Sequence, residues 1–116
     1  MPMRSSGSVR VYSPAYSREA LVAYLRERVG ELARRLALRR VVLFGSWAKG
    51  RATARSDVDL LVVYAGPTQA DAYRIVWETL RIRGLEPHVL SEEEAEALWP
   101  TLERMIRGGV DLLDGD

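Results

Sequence analysis

From Arg18 to Leu36 the apolar residues Leu21, Leu25, Val29, Leu32, Ala33 and Leu36 recur at three- and four-residue steps, the spacing of one face of an amphipathic helix. Ser17 offers a side-chain oxygen at the N-cap position, and Glu19 places an acid in the first turn. The pattern then changes period. Arg40-Val41-Val42-Leu43-Phe44 is a short apolar run ended by Gly45, which predicts a buried strand. Trp47, Ala48 and Lys49 leave room for at most a short helix before Gly50, and residues 51–56 read as a loop. Asp57 to Tyr64 (DVDLLVVY) predicts a second strand, stopped by Gly66-Pro67. Thr68 is placed to cap a second helix over 69–83, with Ala72, Ile75, Val76, Thr79 and Leu80 inward and Gly84 at its end. Leu85 to Leu90 predicts a third strand. Ser91 and Glu94 form a capping box that opens a third helix, which Pro100 breaks or restarts. Gly108-Gly109 stops it, and Val110 to Leu113 predicts a last short strand. Alternating helices and strands of this kind make an α/β domain.

The chain has 116 residues, room for a single domain, expected over residues 17–116 behind a loose leader over 1–16. In that leader Val9, Val11 and Tyr12 are suited to weak pairing with a sheet edge. A domain of this size buries roughly two-thirds of its unfolded surface, enough for one core but not for a deep private cleft. Any active site is therefore expected to be shallow and to gain from a partner. The absence of cysteine excludes disulfides, zinc–thiolate sites and thiol catalysis. No apolar run approaches the roughly 18 to 20 residues of a membrane span, and residues 1–16 lack a signal-peptide core, so no membrane partner and a cytoplasmic location are expected.

Charge sharpens the picture. Residues 1–55 carry 12 Arg and Lys against 3 Glu, whereas residues 56–116 carry 5 Arg against 13 acidic side chains. A basic half beside an acidic half suits a site where phosphates, a divalent cation and carboxylates meet, and it equally suits two halves that neutralise each other on folding.

The segment Gly45 to Val63, GSWAKGRATARSDVDLLVV, carries the candidate chemistry. Gly45 has no Cβ, so backbone amides can close on a phosphate, and Ser46 adds a hydroxyl donor. Asp57 and Asp59 lie two apart on a predicted strand, which sends both carboxylates to one face with Cα atoms about 6.6 Å apart and turns Val58 and Leu60 to the core. Carboxylates so placed can bracket Mg²⁺, a hard ion that takes oxygen ligands. Without a cation they repel each other, and one is expected to show a raised pKa.

The joint pattern of strand, Gly45-Ser46, Ala48-Lys49-Gly50 and Ser56-Asp57-Val58-Asp59-Leu60-Leu61-Val62 resembles the signature of the minimal nucleotidyltransferases, within the DNA polymerase β-like nucleotidyltransferase superfamily. The resemblance implies a polymerase β-like fold, a mixed sheet of about four strands flanked by helices. It implies metal-dependent transfer of a nucleoside monophosphate, AMP from ATP or its counterpart from another nucleoside triphosphate, to an acceptor hydroxyl. By resemblance Gly45 and Ser46 hold the triphosphate, and Asp57 and Asp59 bind Mg²⁺ or Mn²⁺. Lys49, Arg51 and Arg55 lie on the loop over the phosphates and are placed to steady their charge.

The family adds a third carboxylate on the next strand, and here Glu86 is the candidate, a Glu in place of the commoner Asp. Glu86 and His88 share one face of that strand, and Pro87 between them indicates an edge or a bulge. His88, the single histidine, is either a base, a metal ligand or a half-buried strand residue. Trp47 packs on a base or, more simply, on the sheet. Short members of the family often act as antitoxins that place AMP on a tyrosine of a small helical HEPN toxin, so a HEPN-type partner is expected. Self-association into a homo-oligomer is compatible with the sequence.

Two rival readings remain. A non-catalytic module could neutralise a helical partner by contact alone. Transfer to a small molecule, as in aminoglycoside-modifying relatives, is disfavoured because those enzymes carry an extra helical domain. The first helix is read as carrying a basic stripe of Arg26, Arg28, Arg34, Arg35, Arg39 and Arg40, but no DNA-reading motif accompanies it, and a nucleic-acid partner is not expected.

Overall fold

Ser17 and the leucine stripe behind it build the first helix as the sequence predicts. α1 (Arg18–Leu32) starts where the Ala20 N–H donates to Ser17 Oγ at 3.0 Å, and it buries Leu21, Leu25, Val29 and Leu32. The structure is a computed structural model describing residues 17–53 and 56–113, so the predicted leader and Arg55 lie outside the described residues. α1 stops four residues before the predicted Leu36. The Arg34 and Arg35 N–H groups donate to Glu31 and Leu32 carbonyls at 3.1 and 2.8 Å, three-residue bonds that tighten the last turn. Leu36 still reaches the core.

The strands are β1 (Leu38–Phe44), β2 (Val58–Tyr64), β3 (Leu85–Ser91) and β4 (Val110–Asp111). They form one mixed sheet in the order β3-β2-β1-β4, in which β1 pairs antiparallel with β2 and β4 while β2 and β3 run parallel. Residues 45–50 form a chain of turns instead of a short helix. β1 and β2 are therefore consecutive antiparallel strands. Asp57 stands just ahead of β2 and outside the strand.

The helix after β2, α2 (Ala72–Leu80), is shorter than the predicted 69–83. Thr68 does not cap it. The Thr68 hydroxyl lies 3.3 Å from Ser91 Oγ and the Gln69 N–H donates to the Tyr64 hydroxyl at 2.9 Å, which holds both residues in the connection. The helix ends at Arg81, in the left-handed region at φ 51°. The Ser91–Glu94 capping box forms as read, with bonds of 3.1 and 2.8 Å. It opens α3 (Glu92–Ala97), and the chain restarts as α4 (Trp99–Met105), with Pro100 in the first turn, where its missing N–H costs nothing.

Strand alternation divides the sheet residues between two cores. Val41, Leu43, Val58, Leu60, Val62 and Tyr64 meet α1 and α2, while Val42, Phe44, Leu61 and Val63 meet Ala95, Leu102 and Ile106 of the α3–α4 side. A bulge between Leu38 and Arg40 inserts Arg39. Among the described residues no helix is long and apolar enough to cross a membrane.

Candidate functional site

β1 delivers the chain to the site at Phe44, which is in register with Asp59 at the head of β2. Gly45 then turns at φ 78°, a conformation that side chains with a Cβ rarely adopt. The turn closes through the Lys49 N–H on the Gly45 carbonyl (3.1 Å) and the Arg51 N–H on the Ser46 carbonyl (2.9 Å). Trp47 and Ala48 anchor it in the α1-side core at 5% and 7% exposure, leaving Ser46, Lys49 and Arg51 exposed. Trp47 is thus a packing residue. The turn has a brace that sequence reading missed: Arg18 Nε donates to the Ala48 carbonyl at 3.2 Å. A contact across thirty residues leaves no local signal.

The loop returns through Thr53 and Ser56, which are tied by the Thr53 N–H to Ser56 Oγ (2.9 Å) and the Ser56 N–H to the Thr53 carbonyl (3.0 Å). The Val58 N–H donates to the Gly84 carbonyl at 2.8 Å, clamping the heads of β2 and β3 together. Parallel register then sets Asp59 beside Glu86 and Leu61 beside His88. Asp59, Glu86 and His88 consequently share the α3–α4 face with Phe44, whose ring centroid is 5.6 Å from that of His88. Asp59 is partly buried, whereas Asp57, Glu86 and His88 are exposed. His88 is thus more open than a half-buried strand residue. The Pro87 edge expectation holds, since β3 is an outer strand.

The Asp59 carboxyl is raised above its ordinary value of 3.8, first by burial and then by the charge of Asp57, with Glu86 adding to the rise and His88 opposing it. The expected raised pKa is therefore present, but desolvation outweighs the repulsion between the two aspartates. Among the described residues no three His, Asp or Glu side chains form a ready metal cage. The donor set nonetheless suits a hard divalent ion, because Mg²⁺ is commonly held by one or two carboxylates together with substrate phosphates, and a cation would offset both the burial of the Asp59 charge and its repulsion by Asp57.

The basic stripe is not an open face. Arg28 donates to the Thr79 carbonyl through Nε and Nη2 at 2.9 and 2.7 Å, and Arg35 donates to Thr79 Oγ1 and Glu78 at 2.9 and 3.1 Å. Arg39 pairs with Glu92 at 3.3 Å, and the Arg40 guanidinium carbon lies 5.2 Å from the Trp99 ring centroid. Arg39 and Arg40 sit on β1, not on the first helix.

A Gly-Ser turn thus meets acidic strand heads at one end of a small mixed α/β sheet. Residues 22–108 match the model of the family described as the nucleotidyltransferase domain, and the chain belongs to that family, a polymerase β-like nucleotidyltransferase fold. Members generally use a nucleoside triphosphate and a divalent metal ion. The fold is similar to the 1.40 Å crystal structure of a candidate nucleotidyltransferase from Sulfolobus solfataricus, with a TM-score of 0.57 and 23% identity over 92% of this chain and 90% of that one. It is also similar to a chain of a toxin–antitoxin crystal structure with AMP-PNP, with a TM-score of 0.53 and 20% identity over 75% of this chain and 71% of that one. No curated protein matches the chain.

Proposed function

We propose that this nucleotidyltransferase moves AMP from ATP to an acceptor hydroxyl on a small helical HEPN-type protein, and thereby acts as the antitoxin of a pair. The observation that carries the reading is the position of Asp59. It is in register with Phe44, which leads into the Gly45-Ser46 turn, on one side and with Glu86 on the other, so the Gly-Ser turn and two carboxylates meet on one sheet end. The exposed Ser46, Asp57 and Glu86 at that end fit an acceptor supplied by another protein, and the likeness to a toxin–antitoxin chain agrees with it.

In this reading the amides and hydroxyl of Gly45-Ser46 hold the triphosphate, with Lys49, Arg51 and Arg55 neutralising its charge. Asp57, Asp59 and Glu86 would hold Mg²⁺ or Mn²⁺, which supplies charge stabilisation at the phosphates when bound. The acceptor oxygen attacks the α-phosphorus in line. The new P–O bond forms as the bond to the β-phosphate bridging oxygen breaks, pyrophosphate leaves, and the acceptor proton passes to the Glu86 carboxylate. Protein work is mostly positioning and charge neutralisation.

The test is transfer of label from α-³²P-ATP with Mg²⁺, in the presence and absence of a HEPN-type protein. Label on a tyrosine of that protein, lost in Asp59→Asn, is the expected result. Transfer to small molecules without a protein acceptor would overturn the antitoxin part. Neutralisation of the partner that survives Asp59→Asn would favour the contact-only module.

A further inference from the structure

On the α3–α4 side of the sheet a cleft of about 340 Å³ lies between α4 and the β1–β4 pair, a size within the range of small-ligand sites. Its floor is Val42 and the close-packed Gly109, where a Cβ would come within 2.7 Å of the Leu43 carbonyl. Trp99 and Arg40 line it as a stacked pair, and Glu103 and Asp111 add carboxylates.

Three observations connect this cleft to the catalytic end. Arg40, Val42 and Phe44 alternate onto one face of β1, and Phe44 is in register with Asp59 while Val42 is in register with Asp111. The cleft therefore lies along β1 from the phosphate turn, with Val42 about 10 Å and Arg40 about 16 Å along the strand from Gly45. The Lys49 Cε lies 4.0 Å from where a side chain at Gly108 would begin, so Lys49 spans from that turn to the cleft's rim. Finally, Arg40 Nε is buried and has no acceptor. A buried donor without a partner is unfavourable, which favours a guanidinium that turns to meet a ring nitrogen, carbonyl or hydroxyl oxygen of a ligand in the cleft.

We propose that this cleft takes the nucleoside half of the triphosphate, with the base stacked against the Arg40–Trp99 pair and its exocyclic amine or the ribose hydroxyls donating to Glu103. Flat guanidinium and indole surfaces are the natural platform for a base, and a carboxylate rim selects ligands that carry N–H or O–H donors. The placement lets one ligand lie along β1, with phosphates at Gly45-Ser46 and base at Trp99. It rests on the nucleotidyltransferase reading above.

The experiment is calorimetric titration of the full chain with ATP and, separately, with inorganic tripolyphosphate, both with Mg²⁺. Tripolyphosphate carries the phosphates and no nucleoside, and its charge is at least as high, so electrostatics alone cannot favour ATP. ATP is expected to bind about tenfold tighter or more. Trp99→Ala and Arg40→Met should bring the ratio of the two affinities towards one. Glu103→Gln, an exposed substitution that leaves the core intact, should lower the ratio several-fold even if the first two variants prove unstable. Equal affinities in the wild type, or a ratio that Glu103→Gln and the stacking variants leave unmoved, would overturn the proposal. Loss of the phosphate reading is distinguishable: it would show as no Mg²⁺-dependent binding of tripolyphosphate, or as binding that persists in Asp59→Asn.

Discussion

The Asp59 carboxylate fills the space that a side chain at Gly45 would need: a Cβ built on Gly45 would overlap Asp59 Oδ2 and lie 3.2 Å from Asp59 Cγ. The two ends of the motif are thus one packing unit. Gly45→Ala meets two penalties, the φ of 78° and the collision. The first costs about 1–2 kcal/mol by itself, and the second depends on Asp59. In a double-mutant cycle followed by urea denaturation, Gly45→Ala should be less destabilising in an Asp59→Ala background than in the wild type. Additive losses would mean that the two residues do not compete for space.

The raised pKa of Asp59 has a definite sign. A carboxyl whose folded value lies above the unfolded 3.8 destabilises the fold when ionised. The penalty is absent below pH 3.8, grows as pH rises from there to the folded value, and is constant above it. In metal-free buffer Asp59→Asn should therefore melt slightly higher than the wild type at neutral pH, and the advantage should fade towards pH 3.8. Adding Mg²⁺ should raise the wild-type Tm and leave the variant unmoved.

Glu78 behaves oppositely. Hydrogen bonds from Arg74 and Arg35 hold its carboxyl below the ordinary 4.5, so its stabilising contribution is present above pH 4.5 and is lost as pH falls through the folded value. An NMR carboxyl titration should give a Glu78 midpoint below 4.5 that climbs back in Arg35→Ala.

Arg28 grips the Thr79 carbonyl with two donors at 2.9 and 2.7 Å. Arg28→Ala leaves that carbonyl, near the end of α2, without its charged partner and should cost about 1–2 kcal/mol in urea denaturation. ATP affinity should not change, because the contact lies on the far side of the sheet from Asp59.

Ser91 is fully buried, and its Oγ accepts the Glu94 N–H at 3.1 Å. Ser91→Ala should destabilise by about 1 kcal/mol, and Ser91→Thr should recover part of the loss. Thermal denaturation of both variants checks this.

Local chemistry made much of this molecule legible. The Ser17 cap, the Leu21–Leu25–Val29–Leu32 stripe, the Ser91–Glu94 box and the edge position of Pro87 each follow from a few neighbouring residues. Asp59 was readable as a carboxylate at a strand head, and its register with Glu86 follows once β2 and β3 run parallel, whereas Asp57, read as the start of that strand, stands just ahead of it. What escaped was set by distant parts of the chain. Thr68 lost its capping role to Ser91, and a turn held by Arg18 replaced the short helix at Trp47. Arg39 and Arg40, grouped with the arginines of the first helix, belong to β1, which begins at Leu38. Trp99 gained meaning only when folding set it against Arg40.

Pro87 sits in the outermost strand, and proline gives that strand one donor fewer to offer a passing chain. An exposed strand edge is otherwise a template for unwanted self-assembly. The residue between Glu86 and His88 therefore leaves β3 one hydrogen-bond donor short, between the two side chains that share a face with Asp59.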